Sequence, residues 1–255
     1  MTYLETYTSS LNNSSLSDSI TTTAKSVVSN IESRFDFTEP LTGLLLGNVQ
    51  SGKTGQMLGV ISHLADKGYR IFLLLTTDNI DLQRQTYNRV KSALTSFTVL
   101  SESDVVLFNP HNLIKPIVIV LKKNASVLRK WGNLLMTYQL NTGLCLTIFD
   151  DEADAASLNT LVNRNRTSTI NKHLQKIKDT ASSSLYLEVT ATPQSIILQT
   201  VMSGWKPAFI NYFKPGKDYL GGNFFYSNPT SYCIRFTSEN ELDEISEDGD
   251  ILCPE

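Results

Sequence analysis

Residues Gly47-Asn48-Val49-Gln50-Ser51-Gly52-Lys53-Thr54 carry the spacing G-x-x-x-x-G-K-T. The chemistry this pattern serves is the holding of nucleotide phosphates. Successive backbone N–H groups of such a loop turn inward onto phosphate oxygens. The N-terminus of the helix that follows adds a partial positive charge. Lys53 would reach the β- and γ-phosphates, and Thr54 would offer its hydroxyl to Mg²⁺. The flanks suit the motif. Leu41-Thr42-Gly43-Leu44-Leu45-Leu46 reads as a buried strand, and Met57, Leu58, Ile61 and Leu64 repeat at helical spacing until Gly68. Strand, glycine-bounded loop and helix form the context that gives the motif its meaning.

A second chemical cluster lies about a hundred residues downstream. The apolar run Leu144-Cys145-Leu146-Thr147-Ile148-Phe149 suits a buried parallel strand. It ends in Asp150-Asp151-Glu152-Ala153-Asp154. At the end of such a strand, a carboxylate can hold Mg²⁺ through its water shell. A neighbouring glutamate can take a proton from attacking water. We assign Asp151 to the metal and Glu152 to the water, with Asp150 as the alternative metal residue because the strand end is not fixed by sequence.

Two smaller segments could belong to the same chemistry. Thr190-Ala191-Thr192-Pro193-Gln194 follows the strand of Tyr186 to Val189. It reads as a strand-to-helix turn with Thr192 as cap and Pro193 at the first helical position. Its hydroxyls could also couple to the γ-phosphate state. Thr76 to Gln85 follows another strong strand. There Thr77 or Asp78 could simply cap a helix, or Thr77, Arg84 and Gln85 could meet a nucleic-acid phosphate.

The elements that must position these residues alternate. A helix is expected within Ile20 to Phe37, and strands at Tyr69–Thr76, Asp104–Phe108, Ile117–Leu121 and Ser184–Val189. Helices are expected at Asp81–Leu94, Ser126–Tyr138 and Thr169–Thr180. This alternation predicts an α/β three-layer fold around a mostly parallel sheet. Residues 1–20 are polar and are expected to carry little fixed structure at their start. Past Thr200, proline and glycine interrupt the pattern, which predicts a loop-rich extension running onto a further sheet. The expected divisions are 1–38, 39–203 and 204–255.

Composition narrows the classes. At 255 residues the chain can bury a sizeable core. No apolar run approaches a membrane span, and the N-terminus lacks the basic and apolar parts of a signal peptide. Cys145, Cys233 and Cys253 are widely spaced, without metal-ligand spacing. A reducing, cytoplasmic setting follows as the default. The net charge of −3 hides an asymmetry: eight acids and no Lys or Arg lie from Glu239 onward, leaving 22 basic against 17 acidic residues before it. That net of +5 permits a phosphate-backbone partner without requiring one. His63, His111 and His173 are scattered and read as structural or surface residues.

Taken together, the segments resemble the first RecA-like domain of a superfamily II helicase. Gly47 to Thr54, Thr76 to Gln85, Asp151-Glu152-Ala153-Asp154 and Thr190-Ala191-Thr192 match its motifs in order and spacing. More narrowly, Val49 to Thr54, Asp150 to Asp154 with Ser157, and Thr190 to Gln194 are similar to the Z-one domain of predicted bacterial endonucleases. Pro215-Gly216, Tyr219 and Gly221-Gly222 look like that domain's next segment. The resemblance implies a RecA-like P-loop NTPase using ATP and Mg²⁺, with Gly47 to Thr54 binding ATP and Lys53, Asp151 and Glu152 catalytic. It implies a helicase- or translocase-like motor in a bacterial or phage DNA-processing, restriction or defence enzyme. Its partners would be DNA and a nuclease or gyrase-type ATPase. The family needs a second RecA-like domain, and no candidate for it follows residue 200; the expectation is an N-terminal portion of a longer protein that hydrolyses ATP poorly alone. No nuclease constellation stands out. The alternative is a nucleotide-gated protein-interaction switch that moves nothing. Phe35 and Phe37 are the upstream candidates for stacking on the base.

Overall fold

The computed structural model describes residues 1–49, 51–138, 140, 144–156, 168–194, 196–197, 206–217 and 219–221. Gln50, Ser157, Gly222, Cys233, Cys253 and the acidic tail from Glu239 lie outside them. Met1–Lys217 forms one compact unit; the second, Asp218–Glu255, is described only at 219–221.

Seven strands make one sheet: β1 (Leu41–Gly47), β2 (Ile71–Thr76), β3 (Thr98–Ser101), β4 (Ile117–Lys122), β5 (Cys145–Asp151), β6 (Ser183–Thr190) and β7 (Phe209–Phe213). Their order is β3-β4-β2-β5-β6-β1-β7, and every pair is parallel. The helices are α1 (Tyr3–Ser9), α2 (Ser14–Glu32), α3 (Lys53–Asp66), α4 (Ile80–Ala93), α5 (Ala125–Thr137), α6 (Ala153–Ala156) and α7 (Thr169–Lys178). Parallel strands need crossovers, and these helices supply them on both faces. One face packs Phe72, Leu74, Val120, Phe149 and Leu187 against α1, α2, α3 and Val90 of α4. The other packs Ile71, Leu73, Ile119 and Ile148 against Leu128, Trp131 and Leu135 of α5 and Leu174 and Ile177 of α7. This is the three-layer α/β fold expected. β6 lies between β1, which leads into the Gly47–Thr54 loop, and the acidic strand β5. Among the described residues, no helix is long and apolar enough to cross a membrane.

Several local expectations are corrected. Residues 3–9 are helical: Thr2 and Glu5 form a capping box, and Asp66 accepts from the Tyr3 and Leu4 N–H groups at 2.6 and 3.2 Å. The amphipathic face of α2 starts six residues before the expected Ile20, capped by Asn13. The strand expected at Asp104–Phe108 is a short 3₁₀ turn over Val105–Leu107. Asp104 folds back onto Ser101 N–H at 2.8 Å, and Val106 is exposed, so no strand face forms there. The strand of this region is β3, which starts six residues before the expected Asp104. Asn79, rather than Thr77 or Asp78, caps α4.

After residue 200 the described chain does not begin another sheet. β7 adds to the same sheet beside β1, so the expected break at 203 falls before a strand of the core. Its docking depends on Gly43. A Cβ there would stand 2.4 Å from Phe209 Cζ, so the ring occupies the space that any side chain would need. Gly43→Ala therefore overpacks the β1–β7 joint. It should lower unfolding free energy by about 1–3 kcal/mol, read from urea denaturation; unchanged stability would show that the ring has somewhere else to go.

Candidate functional site at the C-terminal edge of the sheet

In a parallel sheet all strands end at one edge, and open α/β sheets bind ligands there. The loops after β1, β2, β4, β5 and β6 share that edge. They bring together the phosphate loop, Thr77, Lys123, the acidic turn and Thr190–Thr192.

The phosphate loop leaves β1 at Gly47 and enters α3 at Lys53. Gly52 sits at φ 82°, a left-handed conformation that glycine adopts without cost. Ser51 is tied back to the Asn48 carbonyl through its N–H and hydroxyl at 3.2 and 2.8 Å. A Cβ at Gly47 would meet Lys53 Cγ at 2.9 Å, so the lysine stem lies across a glycine that must be bare. Thr54 is half-buried in the first turn of α3, while Asn48 and Val49 are exposed. Tyr7 of α1 braces the same turn: its hydroxyl donates to the Gly55 carbonyl at 3.1 Å. Burial pushes its pKa up to about 12, which keeps it a donor.

β5 delivers the carboxylates, and alternation along the strand separates them. Phe149 and Asp151 face the α3 side; Ile148 and Asp150 face the α5–α7 side. Asp150, the alternative metal residue, thus points away from the phosphate loop. It is fully buried, paired with Lys123 Nζ at 3.0 Å and accepting from the Tyr186 hydroxyl. Tyr186 in turn carries Lys178 Nζ over its ring at 3.4 Å from the centroid. Glu188, opposite Asp150 in register, is pushed up to about 8, first by burial and then by the Asp150 charge.

Asp151 is half-exposed, and its Oδ1 is buried without a hydrogen-bond partner among the described residues. Burial is the main cause that raises its pKa to about 6; the Glu152 charge adds to it, while Lys53 and Lys123 pull it down. The Lys53 charge therefore reaches Asp151, as shared work on one phosphate–metal group would require. Glu152 is exposed and holds φ 51°, which for a non-glycine residue costs on the order of 1–3 kcal/mol. Lys123 Nζ donates to the Asp151 and Glu152 carbonyls, both at 2.7 Å.

Asp154, at the start of α6, accepts from Thr190 Oγ1 at 2.6 Å and Thr192 Oγ1 at 2.5 Å. Those hydrogen bonds hold the Asp154 carboxyl below its usual range against the opposing effect of burial. The turn after β6, with Ala191 as its link, is thus wired to the acidic turn. Arg84 and Gln85 are exposed on α4, and Arg84 pairs only with exposed Asp81 at 3.4 Å. Thr77 is half-buried; its neighbour Asp78 accepts from Asn124 at 3.0 Å.

Phe35 and Phe37 are not at this edge. They stack with Tyr69 before the N-terminal ends of β1 and β2, at the opposite end of the sheet, and cannot clamp a base held at Gly47–Thr54. Their upstream position in sequence says nothing of which end of β1 they occupy. Lys123, Tyr186 and Tyr7 are the neighbours of the site that the sequence reading does not single out. A lysine after an apolar strand carries no mark of burial, and a tyrosine within one reads as core.

Comparison with protein families and with curated proteins finds no match. Among solved structures, the chain is similar to the Hef helicase domain of Pyrococcus furiosus at 15% identity and a TM-score of 0.43, covering 72% of this chain and 37% of that one. It is similar to the genome packaging NTPase B204 of Sulfolobus turreted icosahedral virus 2, in complex with ATP-gammaS, at 16% identity and a TM-score of 0.37, covering 59% and 64%. At this distance these likenesses add nothing to the parallel, three-layer α/β fold already described.

Proposed function

We propose that this chain is the ATP-binding and hydrolysing module of a helicase- or translocase-like motor, of the Z-one type, within a DNA-processing, restriction or phage-defence enzyme. One observation carries the reading. The phosphate loop and Asp151, whose buried Oδ1 has no partner among the described residues, share one edge and one side of the sheet, within reach of each other's charge. The donor set fits Mg²⁺–ATP. Loop N–H groups and Lys53 would hold the phosphates, and Thr54 and Asp151 would hold the metal. When bound, Mg²⁺ would supply charge stabilisation for phosphoryl transfer. Glu152 takes the proton of the attacking water. Thr190 and Thr192, through Asp154, link that turn to movement elsewhere. Thr77, Arg84 and Gln85 lie on the same edge and suit nucleic-acid phosphate contacts.

Lys53→Ala removes charge-assisted hydrogen bonds worth about 1.5–3 kcal/mol. Calorimetry should show at least about a tenfold loss of ATP affinity; equal affinity would remove the assignment. Glu152→Gln should leave binding intact and slow hydrolysis by about a hundredfold or more. Joined to a second RecA-like domain, the chain's turnover should rise with added DNA, and that rise should fade with salt. Turnover indifferent to DNA would favour the switch over the motor.

The pH profile follows from Asp151. The carboxylate must be ionised to attract the cation, and its pKa stands at about 6 before metal binds. The gain in ATP affinity on adding Mg²⁺ should therefore fall as pH drops through 6 and level off above it. Asp151→Asn should flatten this profile. A profile that is already flat in the wild type would place the metal elsewhere.

A further inference from the structure

Lys123 and its counter-charge Asp150 are both fully enclosed, with no exposed surface. The Lys123 ammonium has three oxygens around it: it donates to the carbonyls of Asp151 and Glu152, both at 2.7 Å, and is ion-paired with Asp150 Oδ1 at 3.0 Å. Two of these are consecutive main-chain carbonyls of the acidic turn. The third is the side chain that faces the opposite side of the sheet from the phosphate loop.

The lysine comes from a distant place to do this. It follows β4, and β2 lies between β4 and β5. Strands are spaced about 4.8 Å apart, so the side chain spans the end of a whole strand. Its own N–H bonds to the Thr76 carbonyl at 2.9 Å, which fixes the starting point of that reach. An apolar side chain of similar volume would usually cost a fold no more than a buried ion pair does. Stability alone gives no reason for a lysine here. The conformation that it holds does: Glu152 stands at φ 51°, and both carbonyls flanking its N–H and side chain point at one cation.

We propose that Lys123 is a positioning residue for the hydrolytic site. It clamps the main chain of the turn, holding Glu152 in its left-handed conformation and Asp151 at the metal position. This rests on the reading of Asp151 and Glu152 given above. Lys123 touches neither nucleotide nor water and acts through those two residues. Asp150, anchored by Tyr186, is its counter-charge rather than a metal ligand. The clamp differs from simple core packing in what it predicts: its loss damages the metal-dependent part of binding and the chemical step, and spares the phosphate loop.

The test uses the full chain with Lys123→Met, and with Leu121→Ala as a control for destabilisation of β4. The first readout needs no turnover: affinity for a fluorescent ATP analogue, with and without Mg²⁺. Without metal, Lys123→Met should bind within about twofold of wild type. The enhancement by Mg²⁺ should fall by about 10–100-fold, the scale of losing an outer residue that orients a metal site. The second readout is single-turnover hydrolysis in a double-mutant cycle with Glu152→Gln. Lys123→Met should slow the wild type by about 10–100-fold and slow Glu152→Gln by no more than about twofold, because the two residues act as one. If Lys123→Met does not fold, Lys123→Gln, which keeps two N–H donors, takes its place with the same direction of change. A slow Glu152→Gln whose rate Lys123→Met lowers by the same factor as in wild type overturns the clamp alone. So does unchanged Mg²⁺ enhancement in the lysine variant. Glu152→Gln hydrolysing at the wild-type rate overturns the site reading first, and the clamp with it.

Discussion

Asp150 and Asp151 are neighbours in the chain and cannot face the same way. A strand sends successive side chains to opposite sides of its sheet, and everything at the site follows from that. Asp151 falls on the side of α3 and the phosphate loop. Asp150 falls on the side of α5 and α7. Among the described residues, Asp151 Oδ1 is buried with neither hydrogen bond nor ion pair, while Asp150 is ion-paired with Lys123 and accepts from Tyr186. A slip of one residue in the β5–β6 register would exchange the two.

The opposite faces then take different work. On the α3 side the fully buried polar side chains, Gln56, Ser62 and Thr147 among them, are uncharged. On the other side a connected set runs from Lys178 over Tyr186 to Asp150 and Lys123, with Glu188 beside it. Asp150 and Lys123 offset each other there, whereas Glu188, whose Oε2 has no hydrogen-bond partner among the described residues, is pushed by burial toward its neutral form. That layer supports the acidic turn from behind.

Much of this was legible in the sequence because it is local. The phosphate loop with its strand and helix, the apolar run ending in acids, and the threonine turn after β6 are patterns within a dozen residues, and the fold class follows from their alternation. What was not legible depends on contacts across the chain. α1 reads as a polar stretch because its cap comes partly from Asp66, more than sixty residues away. β7 reads as broken chain because its docking relies on a glycine of β1. Phe35 and Phe37 sit before the right strand but at its wrong end. Lys123 is invisible as a buried group, since a lysine after a strand normally meets water.

The strand order also dictates when the molecule can become complete. β1 pairs Leu41 with Leu185 on one side and Gly43 with Phe209 on the other. Both neighbours are made long after it. β2, β3 and β4 can associate from sequence that is nearby, whereas β1 waits through most of synthesis with neither edge covered. Closing loops of such length slows folding, and uncovered strand edges in the interval invite aggregation. The edge that carries the glycine-bounded loop and the acidic turn is thus assembled last, around a strand that emerged early, and the interval before β6 arrives is when the chain is most exposed to capture by chaperones or to misassociation.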